Sequence, residues 1–315
     1  MNKSIRDVLI ISSQVFNTPP VGYGGIERIG ALAFEEYSKH GYSVDIVSNN
    51  QSSYHTFSIE EVTRALISKY KLVISYDYNQ ELLRILNNHN AAHVILQNTF
   101  KPKLKFMAGY NNLHLYALSE ASRKQYMNGL NKEVTIIPNG INLGVFKNSN
   151  YERMEAIIYI GGFGMHKSPL ACLRYAKAKD LHISFYGLPI YRDDEKLYED
   201  NFYKELSNYR YAELNKEIND SQKVELLNTY KYFIFLPGID KATWVEPFGI
   251  APLEAMACGC TVITQFEVGG HLDFCKEGIN SISYKKDVQW LNPPDVRKSI
   301  ELYDFSLVWE TYYPK

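Results

Sequence analysis

The sequence predicts an α/β protein of two doubly wound domains, and three observations carry that prediction. Short apolar runs alternate with helical patterns along the chain. The alternation restarts near Ala156, after a turn signal at Pro138–Gly140. A length of 315 residues also exceeds one ordinary core. We divide the chain into residues 1–150, residues 151–293 and a closing segment 294–315.

The elements follow in order. Val8–Ser12 is a short apolar run, read as a buried strand, and "NTPPVGYGG" follows it as a glycine-rich loop. A helical pattern runs from Ile26 to His40, with Ile29, Leu32, Ala33 and Tyr37 on one face. Gly41 stops it, and Val44–Val47 is the next strand. Strand, loop, helix and strand make a βαβ unit of a parallel sheet. Leu72–Tyr76, His93–Gln97, Leu113–Leu118 and Val134–Ile137 are further strands. In the second series, "AIIYIGG" is a strand entering a glycine loop, Ser168–Ala178 is helical and Ile183–Tyr186 is a strand. Leu188–Asn219 is rich in tyrosine and charge, and no element is assigned there. Ser221–Tyr230 reads as a helix, Phe233–Leu236 as a strand, and Thr261–Thr264 as another. "DFSLVWETYY" is a closing amphipathic helix, expected either to pack back toward the first domain or to lie on the second. In such folds the ligand is expected in the cleft between domains, at the carboxyl ends of the strands.

Composition excludes several classes. Hydrophobic residues are 45% and charged residues 22%, as in soluble globular proteins. The formal net charge of −1 argues against nucleic acid. Residues 1–150 hold 15 Lys+Arg and 11 Asp+Glu, a charge of +4; the remainder holds 19 and 24, a charge of −5. A mildly basic first half suits an anionic acceptor or lipid surface. Cys172, Cys258, Cys260 and Cys275 lack zinc-site spacing and make no disulfide framework, which suits a reduced cytoplasm. No apolar run approaches a membrane span, and Met1–Asp7 is too polar to open a signal peptide. Lys101, Lys103 and Lys105, with Phe106 and Met107, form a basic apolar run. It reads first as a solvated loop and, as the alternative, as a peripheral contact with an anionic membrane.

Three constellations could carry chemistry. Gly22–Glu27 places Gly24 and Gly25 between a strand and a helix start, where backbone N–H groups favour an anion. It is not GxGxxG, which disfavours a dinucleotide, and a purely structural loop is an equal reading. "YIGGFGMHKSP" again runs a strand into glycines, with Gly162 in the loop and Lys167 ahead of a helix. That lysine could neutralise a diphosphate leaving group; simple solvation is the plainer reading. The third is "WVEPFGIAPLEAMACGCTVI", in which seven residues separate Glu246 from Glu254. Pro252 suits a first helical turn, so the helix starts around Gly249–Ala251 and Gly259 ends it. Glu246 then lies on the loop and Glu254 in the second turn, able to face one cleft. Two carboxylates near a phosphate site would repel it unless they bind hydroxyls, and ribose and sugar supply those. The plain alternative is a cap and a surface acid.

These stretches together resemble the GT-B glycosyltransferases of glycosyltransferase family 4. "PPVGYGGIERIGALAFEEYSKHGYSVDIVS" is similar to that family's opening. "VTIIPNGINLGVF" is similar to the end of its first domain, and "EPFGIAPLEAMACGCTVIT" to its two-glutamate motif. The resemblance implies two Rossmann-like domains facing each other across a cleft. It implies that Glu254 holds the donor ribose hydroxyls and that Glu246 contacts the donor sugar. Phe248, Gly249 and the Ile250–Ala251 backbone would hold the diphosphate at the helix start. Lys167 aligns with the family's phosphate-binding lysine. Gly24 and Gly25 would lie near donor phosphates and acceptor, and Gly140 would line the cleft. The family often has arginine where this chain has Gly162, and Arg123 is one candidate substitute. It commonly has a histidine at the end of a middle strand, where this chain offers Ser75 or Asp77. Asp77 could bind a hydroxyl or accept a proton.

The expectation is a retaining hexosyltransferase, moving a hexose from a nucleotide diphosphate sugar, UDP-linked by preference, to an acceptor hydroxyl. The acceptor is a glycan, a lipid-linked glycan or a small molecule. No DxD motif is present, since "RDDE" at Arg192–Glu195 lacks the spacing, so no metal and no cofactor beyond the co-substrate is expected. The alternatives are a catalytically impaired nucleotide-sugar-binding protein and a GT-B epimerase.

Overall fold

A computed structural model describes residues 5–49, 51–97, 107–149, 152–190, 192–241 and 243–315. The chain divides into two compact units: unit 1 is Met1–Gly140 with Phe305–Lys315, and unit 2 is Ile141–Asp304. The division thus falls at Gly140 rather than at 150, and the closing segment that joins unit 1 begins at Phe305 rather than at 294.

Unit 1 holds a parallel six-stranded sheet in the order β2-β1-β3-β4-β5-β6. Its strands are β1 (Arg6–Ile11), β2 (Val44–Val47), β3 (Tyr70–Ser75), β4 (Ala92–Ile95), β5 (Leu113–Ala117) and β6 (Thr135–Ile136). Strands β1 and β3 are buried on both faces, which is why they read as continuous apolar runs. Helix α1 (Gly25–Lys39) follows β1. It packs tightly on that strand because Gly30 has no side chain; a Cβ there would lie 2.8 Å from Ser12 Oγ. Ile29, Ala33 and Tyr37 are buried as expected, but Leu32 is only half-buried. The face is turned slightly, so Gly30 and Ala31 take the central contact. Among the described residues, unit 1 also holds α2 (Arg64–Ile67), α3 (Gln80–Leu86) and α4 (Glu120–Leu130). The last helix of the chain, here α10 (Phe305–Tyr312), also belongs to unit 1. Trp309 lies edge-on to Tyr37 at 5.2 Å and stacks on His40 at 4.2 Å. The Tyr313 and Tyr76 hydroxyls meet at 2.8 Å in the core.

Unit 2 repeats the plan with the order β12-β11-β10-β7-β8-β9. Its strands are β7 (Met154–Ile160), β8 (His182–Tyr186), β9 (Ala212–Asn215), β10 (Tyr230–Phe235), β11 (Thr261–Thr264) and β12 (Ser281–Ser283). Its helices are α5 (Pro169–Ala178), α6 (Lys196–Ser207), α7 (Asp220–Thr229), α8 (Ile250–Ala257) and α9 (Pro293–Lys298). The segment left unassigned, Leu188–Asn219, forms α6 and β9. Phe202 of this segment is structural, fully buried against Phe163 and Phe185. Strand β12 was not expected either. The four cysteines are free and buried. Among the described residues, no helix is long and apolar enough to cross a membrane. Lys101, Lys103, Lys105 and Phe106 lie outside the described residues, and Met107 is buried.

Candidate active site

In unit 2 the chain builds β8 and β9 on one side of β7 and β10 to β12 on the other. The strand order therefore reverses between β7 and β10, and doubly wound sheets bind ligands at the carboxyl ends of such a pair. Two loops leave that edge. The one after β7 carries Gly162 and Lys167, and the one after β10 carries Glu246 and leads into α8.

Helix α8 is buried almost all round, Pro252–Ala257 included. Alanine at 251, 255 and 257 lets it sit close to its neighbours. Gly249 precedes it at φ +95°, and a Cβ there would crowd the Phe235 ring at 3.1 Å, so both the backbone and the space favour glycine. No side chain caps its N-terminus, so N–H groups and the positive end of the dipole face the edge of the sheet. The C-terminus is treated differently. Arg297 Nη1 donates to Ala257 O at 2.6 Å, and Arg153 Nη2 donates to Cys258 O. Cations thus satisfy the last carbonyls and complement the dipole. Phe248, expected among the donor-binding residues, instead turns its ring into the core, 5.2 Å from Phe274. Only its backbone is available at the edge.

Lys167 and Glu246 meet here, Nζ to Oε2 at 2.5 Å, with side-chain exposures of 20% and 8%. Burial pushes the Glu246 carboxyl up, but the Lys167 ammonium more than offsets it and holds the group below the usual carboxylate range. Glu254 is 2% exposed, and its Oε2 accepts from Lys223 Nζ at 3.0 Å. Each glutamate of the motif therefore has its own lysine. His166 sits beside this pair, and burial with the Lys167 charge lowers it to about 4, so it is neutral near pH 7. His271 is fully buried, shifted down by burial, with Nε2 3.0 Å from Gln265 O.

The turn that carries Lys167 is itself pinned. Glu195 Oε2 accepts from Met165 N at 3.1 Å, and its Oε1 accepts from Lys241 Nζ at 2.9 Å. Asp240 Oδ2 accepts from Ala171 N and from the Tyr198 hydroxyl, fixing the start of α5. Gly162 lies against Ile190: a Cβ there would meet Cδ1 at 2.8 Å.

Gly162, Lys167, Glu246, Gly249, Ile250, Ala251 and Glu254 thus belong to one unit, around one sheet edge. Gly24, Gly25, Asp77 and Gly140 belong to unit 1. Gly24, at φ +148°, precedes α1 against Pro20, and a Cβ would lie 2.7 Å from the proline. Glu27 is buried and its Oε1 accepts from Phe16 N at 3.3 Å, holding the glycine loop from inside. Asp77 Oδ1 accepts from Tyr78 N at 2.7 Å, and Ser75 Oγ donates to Asp77 O at 2.5 Å. Arg123 pairs with Glu120 on its own helix, at 2.8 Å.

The sequence reading missed Lys223, Glu195 and Lys241. Lys223 had a signal: it lies one turn before Leu227, on the buried face of α7. A lysine at a core position of an apolar stripe asks for a buried partner. Glu195 and Lys241 lie in loops and short turns, where spacing says nothing about partners.

Residues 145–291 match the family model for glycosyl transferases group 1. None of the curated proteins matches the chain by sequence. Among solved structures, AviGT4, a glycosyltransferase involved in avilamycin A biosynthesis, superimposes with a TM-score of 0.75 at 16% identity, covering 98% of this chain and 96% of its own. HepE of Anabaena, in complex with UDP and glucose, gives 0.66 at 13% identity, covering 98% and 95%. Sucrose-phosphate synthase from Thermosynechococcus elongatus gives 0.67 at 15% identity, covering 96% and 92%. The fold is that of the GT-B glycosyltransferases, with two Rossmann-like domains.

Proposed function

We propose that the protein is a retaining glycosyltransferase that moves a hexose from a nucleotide diphosphate sugar, a UDP-sugar by preference, to an acceptor hydroxyl. One observation carries the reading: at the switch point of unit 2, two buried glutamates and their lysines flank an uncapped helix N-terminus. That group suits a ligand with hydroxyls at two ends and a diphosphate between them. Glu254 takes the ribose hydroxyls, since an ionised carboxylate accepts from a diol. The Ile250 and Ala251 N–H groups and Lys167 take the diphosphate. Glu246 orients the sugar. HepE, a fold neighbour, is described in complex with UDP and glucose, which supports the UDP preference.

In the reaction, the bond from the anomeric carbon to the diphosphate oxygen breaks. A bond from that carbon to the acceptor oxygen forms on the same face. The acceptor proton passes to the departing diphosphate oxygen, and nucleoside diphosphate is released. The chain's contribution is positioning and neutralisation of the leaving group. No covalent nucleophile is assigned, unlike a retaining glycosidase. Charge neutralisation by Lys167 and the helix N-terminus makes turnover independent of added divalent metal. Gly24 and Gly25 are assigned to phosphate and acceptor approach, Gly140 to the donor, and Asp77 to a sugar or acceptor hydroxyl. The acceptor is a glycan, lipid-linked or small-molecule hydroxyl.

A donor screen tests the reading. UDP-, GDP- and ADP-sugars are incubated with the protein in EDTA, and free nucleotide and product configuration are followed. Release of nucleotide with a retained anomeric configuration supports it. Binding without release supports instead a nucleotide-sugar-binding protein, a reading favoured by glycine at 162, which brings no cation to a loop beside Ile190. No binding by any donor overturns both.

A further inference from the structure

We propose that Lys223 is a positioning residue that orients the Glu254 carboxylate toward the ribose diol and so sets this site's preference for ribonucleotides. The inference rests on the reading of Glu254 above. Lys223 is buried, with 10% of its side chain exposed, and reaches Glu254 from a different helix, 31 residues earlier in the chain. The ammonium has two further neighbours: Asp220 Oδ1 at 3.6 Å and the Phe146 ring at 5.6 Å. Desolvating a lysine and a glutamate together is costly, and a well-packed apolar pair is often as stable or more so. Helix α7 already presents Leu227 on the same face, so an apolar residue at 223 would continue its core stripe. What the ammonium supplies and an apolar residue cannot is direction. Glutamate has three rotatable side-chain bonds, and the contact from Lys223 holds one oxygen in place. An ionised carboxylate offers about four lone-pair directions, of which this contact uses one. The ammonium also offsets part of the carboxylate charge around it, which reduces the repulsion an incoming diphosphate would meet.

The test uses the full-length protein and two probes, UDP and 2′,3′-dideoxy-UDP, with affinities measured by calorimetry. Wild type is expected to favour UDP by about tenfold or more, as for a hydrogen-bonded charged acceptor. In Lys223→Met the UDP affinity falls by about that factor while the dideoxy affinity stays within about twofold, so the preference is lost. Lys223→Arg restores most of it. A structural tie between helices would weaken both probes equally, and that result overturns the proposal. An unchanged preference in Lys223→Met overturns it too. Thermal unfolding monitors folding, and Lys223→Gln is read in the same way should the methionine variant fail to fold. Failure of wild type to bind UDP overturns the reading of the site and this inference with it. A normal wild-type preference that is unmoved in the variants overturns the inference alone.

Discussion

The carboxyl edges of the two sheets are built from the same plan and furnished differently. In unit 2, buried carboxylates face lysines: Glu246 with Lys167, Glu254 with Lys223 and Glu195 with Lys241. In unit 1, the loop after β1 is shaped by glycine and proline and held by hydrogen bonds with backbone: Phe16 N donates to Glu27 Oε1, and Arg28 Nη2 donates to Gly22 O. The same doubly wound sheet thus yields one edge rich in paired charge and one of close backbone approach. Charge placed in pairs is costly and directional, which is what a polar, multiply charged ligand requires. A glycine loop offers room and N–H groups but little discrimination. On this comparison, disturbing unit 2 alters binding and chemistry sharply, and disturbing unit 1 alters them less.

The largest effect is expected from Lys167→Ala. Loss of a leaving-group cation should cut turnover by about 10²–10³-fold, with the thermal midpoint also lowered because Glu246 keeps its burial without the ammonium. Steady-state kinetics with the donor found in the screen checks this. A loss under about tenfold would move the leaving-group role elsewhere. Next is Glu254→Ala, which leaves Lys223 buried without that carboxylate. Breaking a buried pair from one side costs about 3–5 kcal/mol, measured by urea unfolding. Glu254→Gln, of the same shape, should cost less stability while still weakening donor binding.

The extent to which these groups were legible differs in the same way. The glycine loops, the alternating strands and the two glutamates showed in the sequence because each leaves a local mark. Spacing around Pro252 and Gly259 sets the bounds of α8, and the helix runs Ile250–Ala257. The inward turn of the Phe248 ring was not legible, because motif membership does not say which way a side chain turns. Lys223 and Lys241 were hidden because their partners lie in other loops and helices, 31 and 46 residues away. Only tertiary structure brings them in. Strand β9 was hidden because a sheet-edge strand is half exposed, with no continuous apolar run.

A smaller effect is expected from Gly249→Ala. The positive φ and the Phe235 ring together should cost about 1–2 kcal/mol, seen as a lower urea midpoint. The pH dependence of stability sharpens the unit 2 side. Burial and the neighbouring Lys167 put His166 at about 4 in the fold. Its unfolded value is higher, so the unfolded state binds the proton first. The stabilisation is complete above about 6.5 and is lost as pH falls toward 4. Urea midpoints at pH 7.5, 6 and 5 should decline, and His166→Phe should flatten that decline. The least effect is expected at Asp77→Asn. The carboxylate accepts from the adjacent Tyr78 N–H, a bond an amide oxygen can also accept. Turnover should fall less than about tenfold; a much larger loss would put general-base chemistry in unit 1 and break the comparison.

The most direct test of the central claim, that the paired charges of unit 2 form a nucleotide-sugar site, is calorimetric titration of UDP-, GDP- and ADP-sugars in EDTA. Wild type and Glu254→Gln are compared, with unfolding curves confirming that both are folded. The account predicts that one donor class binds wild type and binds the folded variant at least about tenfold more weakly. Equal binding to both proteins, or binding by no donor, would contradict it.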